Sequence, residues 1–184
     1  MQSIYQPAED SYLLKETLKK FLKNKSKNIN ILDMGSGSGI QALNCKELGF
    51  KKILSVDINP EAVKHLKKLK LKTLKSNLFS NIPKSNKFDL IIFNPPYLPE
   101  DKREPIDLRR NTTAGKKGYE IILKFLTQAK PYLKKDASII LLFSSLSKPK
   151  KILSKAKKID YNYELLNNQK LFFEELYVFK FSPK

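Results

Sequence analysis

The stretch Ile29-Asn30-Ile31-Leu32-Asp33-Met34-Gly35-Ser36-Gly37-Ser38-Gly39-Ile40 holds a strand, a turn and the start of a helix. Its apolar first half, residues 29–34, reads as a short strand. Three glycines in five positions follow. They let the backbone turn sharply and let a ligand lie against it without Cβ interference. Residues 40–48 then read as a helix closed by Gly49. The same alternation continues downstream. Residues 52–58 form a second strand ending near Asp57, and Pro60 opens a helix running to about Leu69, where its missing N–H costs nothing. A Lys-rich strand is expected over 71–75 and a buried one over 88–93, stopped by Pro95. A helix over about 118–133, a strand over 137–144 and a helix over 149–158 complete the pattern.

Upstream, residues 9–22 carry an apolar stripe (Tyr12, Leu13, Leu18, Phe21, Leu22) against Lys15, Glu16, Lys19 and Lys20, which predicts an N-terminal helix. At the other end, 161–167 and 172–181 read as two strands joined by a short polar loop. Alternating elements followed by a hairpin predict an α/β fold, with a mostly parallel sheet covered on both faces and an antiparallel strand at one edge. No repeat, low-complexity tract or boundary divides the sequence, so residues 1–184 are expected to form one domain.

Composition narrows the function classes. Hydrophobic content of 41% and charged content of 29% fit a folded globular protein and exclude a wholly disordered one. No apolar run approaches the roughly 20 residues that span a bilayer, and no signal-peptide pattern is present, so a cytoplasmic enzyme is expected. A single cysteine and a single histidine, Cys45 and His65, leave neither a disulfide framework nor a structural zinc site within the chain. The net charge of +18 invites a nucleic-acid partner. It comes, however, almost entirely from lysine, with Arg103, Arg109 and Arg110 the only arginines. Readers of phosphates and bases favour the arginine fork. The charge therefore permits nucleic-acid contact without requiring it.

The glycine turn has a ligand reading. In an open α/β sheet it sits at the carboxyl ends of the strands, where ligands bind. Asp57, at the end of the next strand, is placed to accept both hydroxyls of a ribose. The spacing is G-x-G-x-G, where nicotinamide-binding domains use G-x-G-x-x-G, and a glycine-rich turn with no ligand is the competing reading. Asp33 is either a helix N-cap or a partner for the cationic amino group of an amino-acid moiety. Asn77, followed by Leu78 after the third strand, offers an acceptor to an adenine amino group or simply forms a turn.

Asn94-Pro95-Pro96-Tyr97 is more specific. It follows the buried strand and so lies beside the glycine turn. Each residue before a proline is pushed toward extended geometry, and neither proline has an N–H. The loop surface is thus stiff and rich in acceptors, the Asn94 side-chain oxygen and the Pro95 carbonyl, with the Tyr97 ring beside them. That is a receptor for a planar group carrying NH2. Strand punctuation by Pro-Pro is the alternative.

Together these residues resemble class I S-adenosylmethionine methyltransferases acting on amide or base nitrogen. The opening Tyr5-Gln6-Pro7-Ala8-Glu9-Asp10-Ser11-Tyr12-Leu13-Leu14 is similar to the start of the short archaeal and eukaryotic branch of the HemK (PrmC) family. The resemblance is strongest over 5–14 and 33–99. It implies a Rossmann-like, mostly parallel seven-stranded sheet with a C-terminal hairpin. It also implies methylation of the glutamine side-chain amide in the Gly-Gly-Gln motif of class I translation release factors, and a small zinc-binding activator protein at a sheet edge, forming a heterodimer. Carried over, it implies cofactor contacts from Ser11, Asp33, Gly35, Gly37, Gly39, Asp57, Asn77, Leu78 and Asn94. The substrate amide would be held by Asn94, Pro95, Pro96 and Tyr97. No metal is implied in this chain. The sequence departs from the family at Asp33, often Glu, at Asn77, usually Asp, and at Ala114-Gly115-Lys116-Lys117-Gly118, which replaces a Trp/Gly-Gly stretch that shapes substrate access. An amino-group methyltransferase for adenine or guanine in RNA or DNA would use the same loop. A cofactor-binding domain without transfer activity would not need it. Cys45 reads as core, His65 as solvent-facing, and residues 19–27 as a solvated helix end and loop.

Overall fold

The buried apolar runs predict a sheet covered on both sides, and the computed structural model, which describes residues 4–98 and 117–184, has that sheet. Its strands are β1 (Ile31–Met34), β2 (Ile53–Asp57), β3 (Thr73–Lys75), β4 (Phe88–Phe93), β5 (Leu133–Ser144), β6 (Tyr161–Lys170) and β7 (Glu175–Pro183). They lie in the order β3-β2-β1-β4-β5-β7-β6. β3, β2, β1, β4 and β5 are mutually parallel, and β7 runs antiparallel to both β5 and β6. The helices are α1 (Glu9–Leu22), α2 (Ile40–Glu47), α3 (Pro60–Lys68), α4 (Glu120–Ala129) and α5 (Pro149–Lys158). The α/β class, the parallel sheet and the terminal hairpin expected from the sequence are all present.

Side chains alternate across the strands and divide into two cores. Leu32, Met34, Ile91, Phe93, Ile139, Leu141, Phe143, Phe179 and Phe181 face one way, and meet Ile122, Phe125 and Leu126 of α4 and Ile152 of α5. Ile31, Leu90, Ile92, Ile140, Leu142, Leu176 and Val178 face the other way. There they meet Leu14, Leu18 and Leu22 of α1, Cys45 of α2 and Leu66 of α3. This period-2 division is the strand geometry itself. Each fully buried Leu or Ile contributes about 1.5–3 kcal/mol relative to exposure. The Cys45 reading holds: its thiol is buried in the second core.

Four boundaries differ from the sequence reading for local reasons. α4 stops at Ala129, because Pro131 turns Lys130–Tyr132 into a single 3-10 turn. β5 begins at Leu133, earlier than its apolar run; an irregularity in its pairing with β4 and Asp136 at φ +63 carry the polar residues 134–136. β6 extends to Lys170 and β7 starts only at Glu175, so Phe172 and Phe173 sit at the hairpin tip rather than in a strand. Of the stretch 114–118, residues 114–116 lie outside the described residues, as does Pro99. Among the described residues no helix is long and apolar enough to cross a membrane.

Strand order reverses between β1 and β4: β2 and β3 lie on one side of β1, β4 and β5 on the other. Such a switch point opens a crevice at the carboxyl ends of the strands. Register makes this concrete. Met34 pairs with Phe93 and with Val56, so Gly35, Asn94 and Asp57 leave their strands at one level, side by side.

Candidate active site

A cavity of about 440 Å³ fills that crevice. The glycine turn forms its floor. Gly35 and Gly37 have φ of +61 and +51, a left-handed conformation costly for side-chain-bearing residues. A Cβ on Gly35 would meet the Phe93 ring at 3.1 Å, whereas one on Gly37 would meet little protein and project into open space. Both glycines line the cavity. Gly39 does not: its absent side chain makes room for Leu66, whose Cδ2 would lie 2.8 Å from a Cβ there. Its part is to close the turn at the start of α2.

Asp57 fastens the turn to β2. One carboxylate oxygen accepts Gly37 N–H at 2.8 Å and the other accepts Asn59 N–H at 2.8 Å. With the Ile58 N–H as a further donor, the carboxylate still keeps a lone pair for a ligand. Burial raises the Asp57 carboxyl above its usual range against the pull of these backbone donors. Asp33 is more exposed energetically. Its side chain is 2% accessible, and Oδ2 has no hydrogen-bond partner among the described residues. Burial, with a smaller push from Asp57, moves its carboxyl up to about 7. An unpaired buried carboxylate is costly unless something cationic meets it. Ile58, 57% exposed, and Leu78, at φ +50, give the same cavity two apolar contacts beside the exposed Asn77.

Asn94 and Tyr97 stand opposite. The Asn94 Nδ2 donates to Asp10 Oδ2 at 2.8 Å, and its Oδ1 is buried with no partner among the described residues. The amide orientation is therefore set by Asp10, which leaves Oδ1 an unpaired acceptor on a residue that lines the cavity. Asp10, 4% exposed, is itself held: Oδ1 accepts the Ser11 N–H at 2.6 Å, the Ser11 hydroxyl at 3.2 Å and the Tyr5 hydroxyl at 3.1 Å. The Ser11 carbonyl accepts Gln41 Nε2 at 2.8 Å, tying α1 to α2. The Tyr97 carbonyl accepts the Ser147 hydroxyl at 2.7 Å, which fixes the end of the loop. Burial, then the charges of Asp10 and Glu174, push the Tyr97 phenol well above its ordinary value, so it stays protonated. Pro95 and Pro96 complete the wall.

All the sequence-derived site residues except Gly39 therefore line one cavity: Ser11, Asp33, Gly35, Gly37, Asp57, Asn77, Leu78, Asn94, Pro95, Pro96 and Tyr97. Sequence reasoning assigns no role to Asp10, Tyr5, Ile58 or Glu174, all of which line the cavity. Asp10 had a visible signal, an acid in the first turn of α1 beside Ser11; Glu174, on the hairpin, had none. His65 is corrected: it is half-buried, with Nε2 3.3 Å from the Ser38 carbonyl, because α3 packs beside the glycine turn.

The donor set fits S-adenosylmethionine. An ammonium group would satisfy the unpaired Oδ2 of Asp33, ribose hydroxyls would find an acceptor in Asp57, and the side-chain-free surface at Gly37 leaves room between them. The charge of the cavity agrees. Glu9, Asp10, Asp33, Asp57 and Glu174 line it, and no lysine, arginine or histidine does among the described residues.

The sequence matches the family described as methyltransferase small domain over residues 9–172. A protein of Methanocaldococcus jannaschii named as a candidate protein N5-glutamine methyltransferase is 40% identical over 183 residues, covering 95% of this chain and 89% of that one. Among solved structures, the E. cuniculi Mtq2–Trm112 complex, described as responsible for methylating the translation termination factor eRF1, superposes with a TM-score of 0.80 at 22% identity, covering 100% of both chains. A 16S rRNA guanine-N2 methyltransferase of T. thermophilus, solved with AdoMet and guanosine, gives a TM-score of 0.68 at 21% identity. It covers 97% of this chain and 44% of that one. At these identities the two structures bear on the fold alone.

Proposed function

The chain belongs to the methyltransferase small domain family and uses S-adenosylmethionine, and from this we propose that its acceptor is the side-chain amide nitrogen of a protein glutamine, that of the Gly-Gly-Gln motif of a class I translation release factor. The observation that carries the proposal is Asn94, which lines the cavity beside Tyr97, whose amide is oriented by Asp10 and whose buried Oδ1 has no partner among the described residues. The kinship to a glutamine methyltransferase across nearly the whole chain supports the choice of amide. Residues 1–184 act in this reading as one domain.

Each residue then has a task. Asp33 holds the ammonium of the cofactor, Asp57 its ribose hydroxyls, and Asn77 and Leu78 its adenine. Ser11, Gly35, Gly37 and Asn94 shape the space between, and Gly39 closes the turn. When bound, the cofactor supplies a methyl group on a cationic sulfur. Asn94 Oδ1 and the Pro95 carbonyl accept the two hydrogens of the substrate NH2, and Tyr97 covers its plane. An amide nitrogen is a poor nucleophile because its lone pair is delocalised. Two acceptors pulling on its hydrogens favour lone-pair density toward the methyl group and hold it in line, and orientation of this kind can be worth about 7–11 kcal/mol in ideal cases. As the nitrogen gains positive charge, the same acceptors hold it more strongly than in the ground state, and the Asp10 carboxylate behind Asn94 reinforces them. The proton leaves to water, so no dedicated base is needed.

An RNA or DNA amino-group acceptor is the second reading, since the loop suits that nitrogen too. The acidic lining disfavours it, because among the described residues no cationic side chain lines the cavity to meet a phosphate backbone. Labelled cofactor offered with either a class I release factor or total RNA from the same genome tests the choice. Label on the release factor is expected; label on RNA alone overturns the proposal.

The activator belongs to this proposal. β3 lies at the edge of the sheet, and its outer side has no strand partner among the described residues. Open edges accept a strand from another chain. A small protein, zinc-binding in the family resembled, would dock there and form a heterodimer.

A further inference from the structure

The β6–β7 hairpin ends in an unusual turn. Leu171 N–H donates to the Glu174 carbonyl at 2.8 Å, leaving Phe172 and Phe173 as the two tip residues. Two-residue hairpin turns favour Gly, Asn and Asp, so turn chemistry does not account for paired phenylalanines. Their rings are 93% and 86% exposed and pack edge-to-face on each other, centroids 4.7 Å apart, as one apolar knob. The knob stands on a rigid support. β6 and β7 stay paired to Lys170 and Glu175, and Glu175 N–H is anchored on the Ser145 hydroxyl at 3.0 Å.

The next residue turns the other way. Glu174 lines the cavity with Asp10, Asn94 and Tyr97, and its Oε2 is buried with no hydrogen-bond partner among the described residues. A buried carboxylate oxygen needs a donor, and a donor can arrive with the substrate. The NH2 of the acceptor amide is already matched by Asn94 and Pro95. A peptide brings further N–H groups along its main chain.

We propose that this hairpin tip reads the protein substrate: Glu174 accepts a main-chain N–H of the segment that carries the target glutamine, while Phe172 and Phe173 seat on an apolar patch of the same protein. The inference rests on the reading of the acceptor as a protein glutamine. The occupant follows from continuity, because Leu171, Glu174 and Leu176 line the cavity and the knob therefore stands at its mouth. A second copy of this chain fits less well. Two aromatic rings bury about 150–250 Å² each, well short of the roughly 800 Å² per partner of a stable interface, yet enough to anchor a transient substrate.

The test uses the full chain, with its co-expressed partner where activity requires one, a purified class I release factor and labelled S-adenosylmethionine. Wild type must label the release factor; if it does not, the substrate reading falls and this inference with it. Given labelling, F172S/F173S is expected to raise KM for the release factor tenfold or more while kcat stays within twofold. E174A is expected to raise it at least fivefold, with partial recovery in E174Q, whose amide oxygen still accepts. Cofactor dissociation constants should stay within twofold in all three. An unchanged KM in F172S/F173S, or an E174A effect found mainly in cofactor affinity, overturns the inference while leaving the substrate reading intact. So does a wild-type dimer that F172S/F173S converts to monomer.

Discussion

Asp33→Asn should weaken cofactor binding and stabilise the cofactor-free protein, two effects of opposite sign from one oxygen atom. Asp33 is buried with Oδ2 unpartnered among the described residues, and its carboxyl rises from 3.8 to about 7. Burial is the main cause; Asp57 adds to it, while the Ser36 hydroxyl and Ala42 N–H oppose it. A carboxyl raised in the folded state binds its proton more tightly there than in the unfolded chain. Its contribution therefore favours the folded state at low pH and is lost as pH rises from about 4 to about 7. Roughly three pH units at about 1.36 kcal/mol each set a ceiling near 4 kcal/mol. Asparagine removes the charge but brings an NH2 that needs acceptors, so about half of that should be recovered. For a chain of this size about 2 kcal/mol corresponds to a Tm higher by about 4–8 °C. The gain should be found at pH 8 and nearly vanish at pH 4.

Cofactor binding moves the other way. Losing a charged hydrogen bond to the ammonium costs about 1.5–3 kcal/mol, roughly 10- to 150-fold in Kd. The pH profile separates this from general damage. In wild type the carboxyl must give up its proton to meet the ammonium, so affinity should rise up to about tenfold per pH unit below pH 7 and flatten above. In Asp33→Asn that slope should disappear. Calorimetric titration with S-adenosylmethionine from about pH 5.5 to 7.5, beside thermal denaturation of the cofactor-free protein, measures both. A variant whose Kd stays within threefold of wild type, or which keeps the wild-type pH slope, refutes the assignment of Asp33 to the ammonium.

Asn94→Ala should lower kcat by about 10²- to 10³-fold, the scale for removing one preorganised transition-state contact, with only a modest loss of cofactor affinity; near-normal turnover would remove the central claim. Asp10→Ala should lower kcat about tenfold by freeing the Asn94 amide to rotate, an effect on the scale of one hydrogen bond. Asp10→Asn should recover part of it, since its oxygen can still accept Asn94 Nδ2, and steady-state kinetics of the pair decides. Asp57→Ala should raise the cofactor Kd by roughly 10-fold or more, because Gly37 and Asn59 N–H lose their acceptor along with the ribose; a change below threefold in calorimetry rejects the role. Co-expression with small zinc-binding proteins of the same genome should yield a heterodimer by size-exclusion chromatography, with association faster at low salt as acidic groups meet Lys72 and Lys75; full activity of the lone chain without a complex would show that no activator is needed.

The parts of the fold legible in the sequence are those with punctuation at both ends. β4 spans Phe88–Phe93 as read, because a polar segment precedes it and Asn94-Pro95 stops it. α5 begins at Pro149 as read, for the reason that makes proline acceptable at a helix start. Reading failed where apolar residues stood outside regular structure. Phe172 and Phe173 have strong strand preferences and were counted into β7, but the hairpin turns at them. The glycine turn and the Asn94 loop were legible as separate motifs, and their adjacency followed from the alternation of elements. The contact that orients the Asn94 amide was not: Asp10 and Asn94 lie 84 positions apart, and their hydrogen bond exists only because the fold brings the start of α1 to the residue that follows β4.

Charge shows the same difference between content and placement. A net charge of +18 is a property of the whole chain, and read as composition it points toward nucleic acid. Among the described residues no lysine lines the cavity at the switch point, while Glu9, Asp10, Asp33, Asp57 and Glu174 converge on it. Placement follows the chemistry of what enters. The cofactor carries an ammonium and a cationic sulfur, and methyl transfer moves positive charge from that sulfur onto the acceptor nitrogen. In the proposed arrangement Asp33 favours the cation at the cofactor's ammonium, and Asp10 favours it at the acceptor nitrogen through the Asn94 amide that it orients. Cations at the same positions would raise the barrier and repel the cofactor. The acidic lining therefore suits a cationic cofactor and a developing cation at nitrogen, and the lysine-rich exterior is compatible with it because no described lysine lines the cavity.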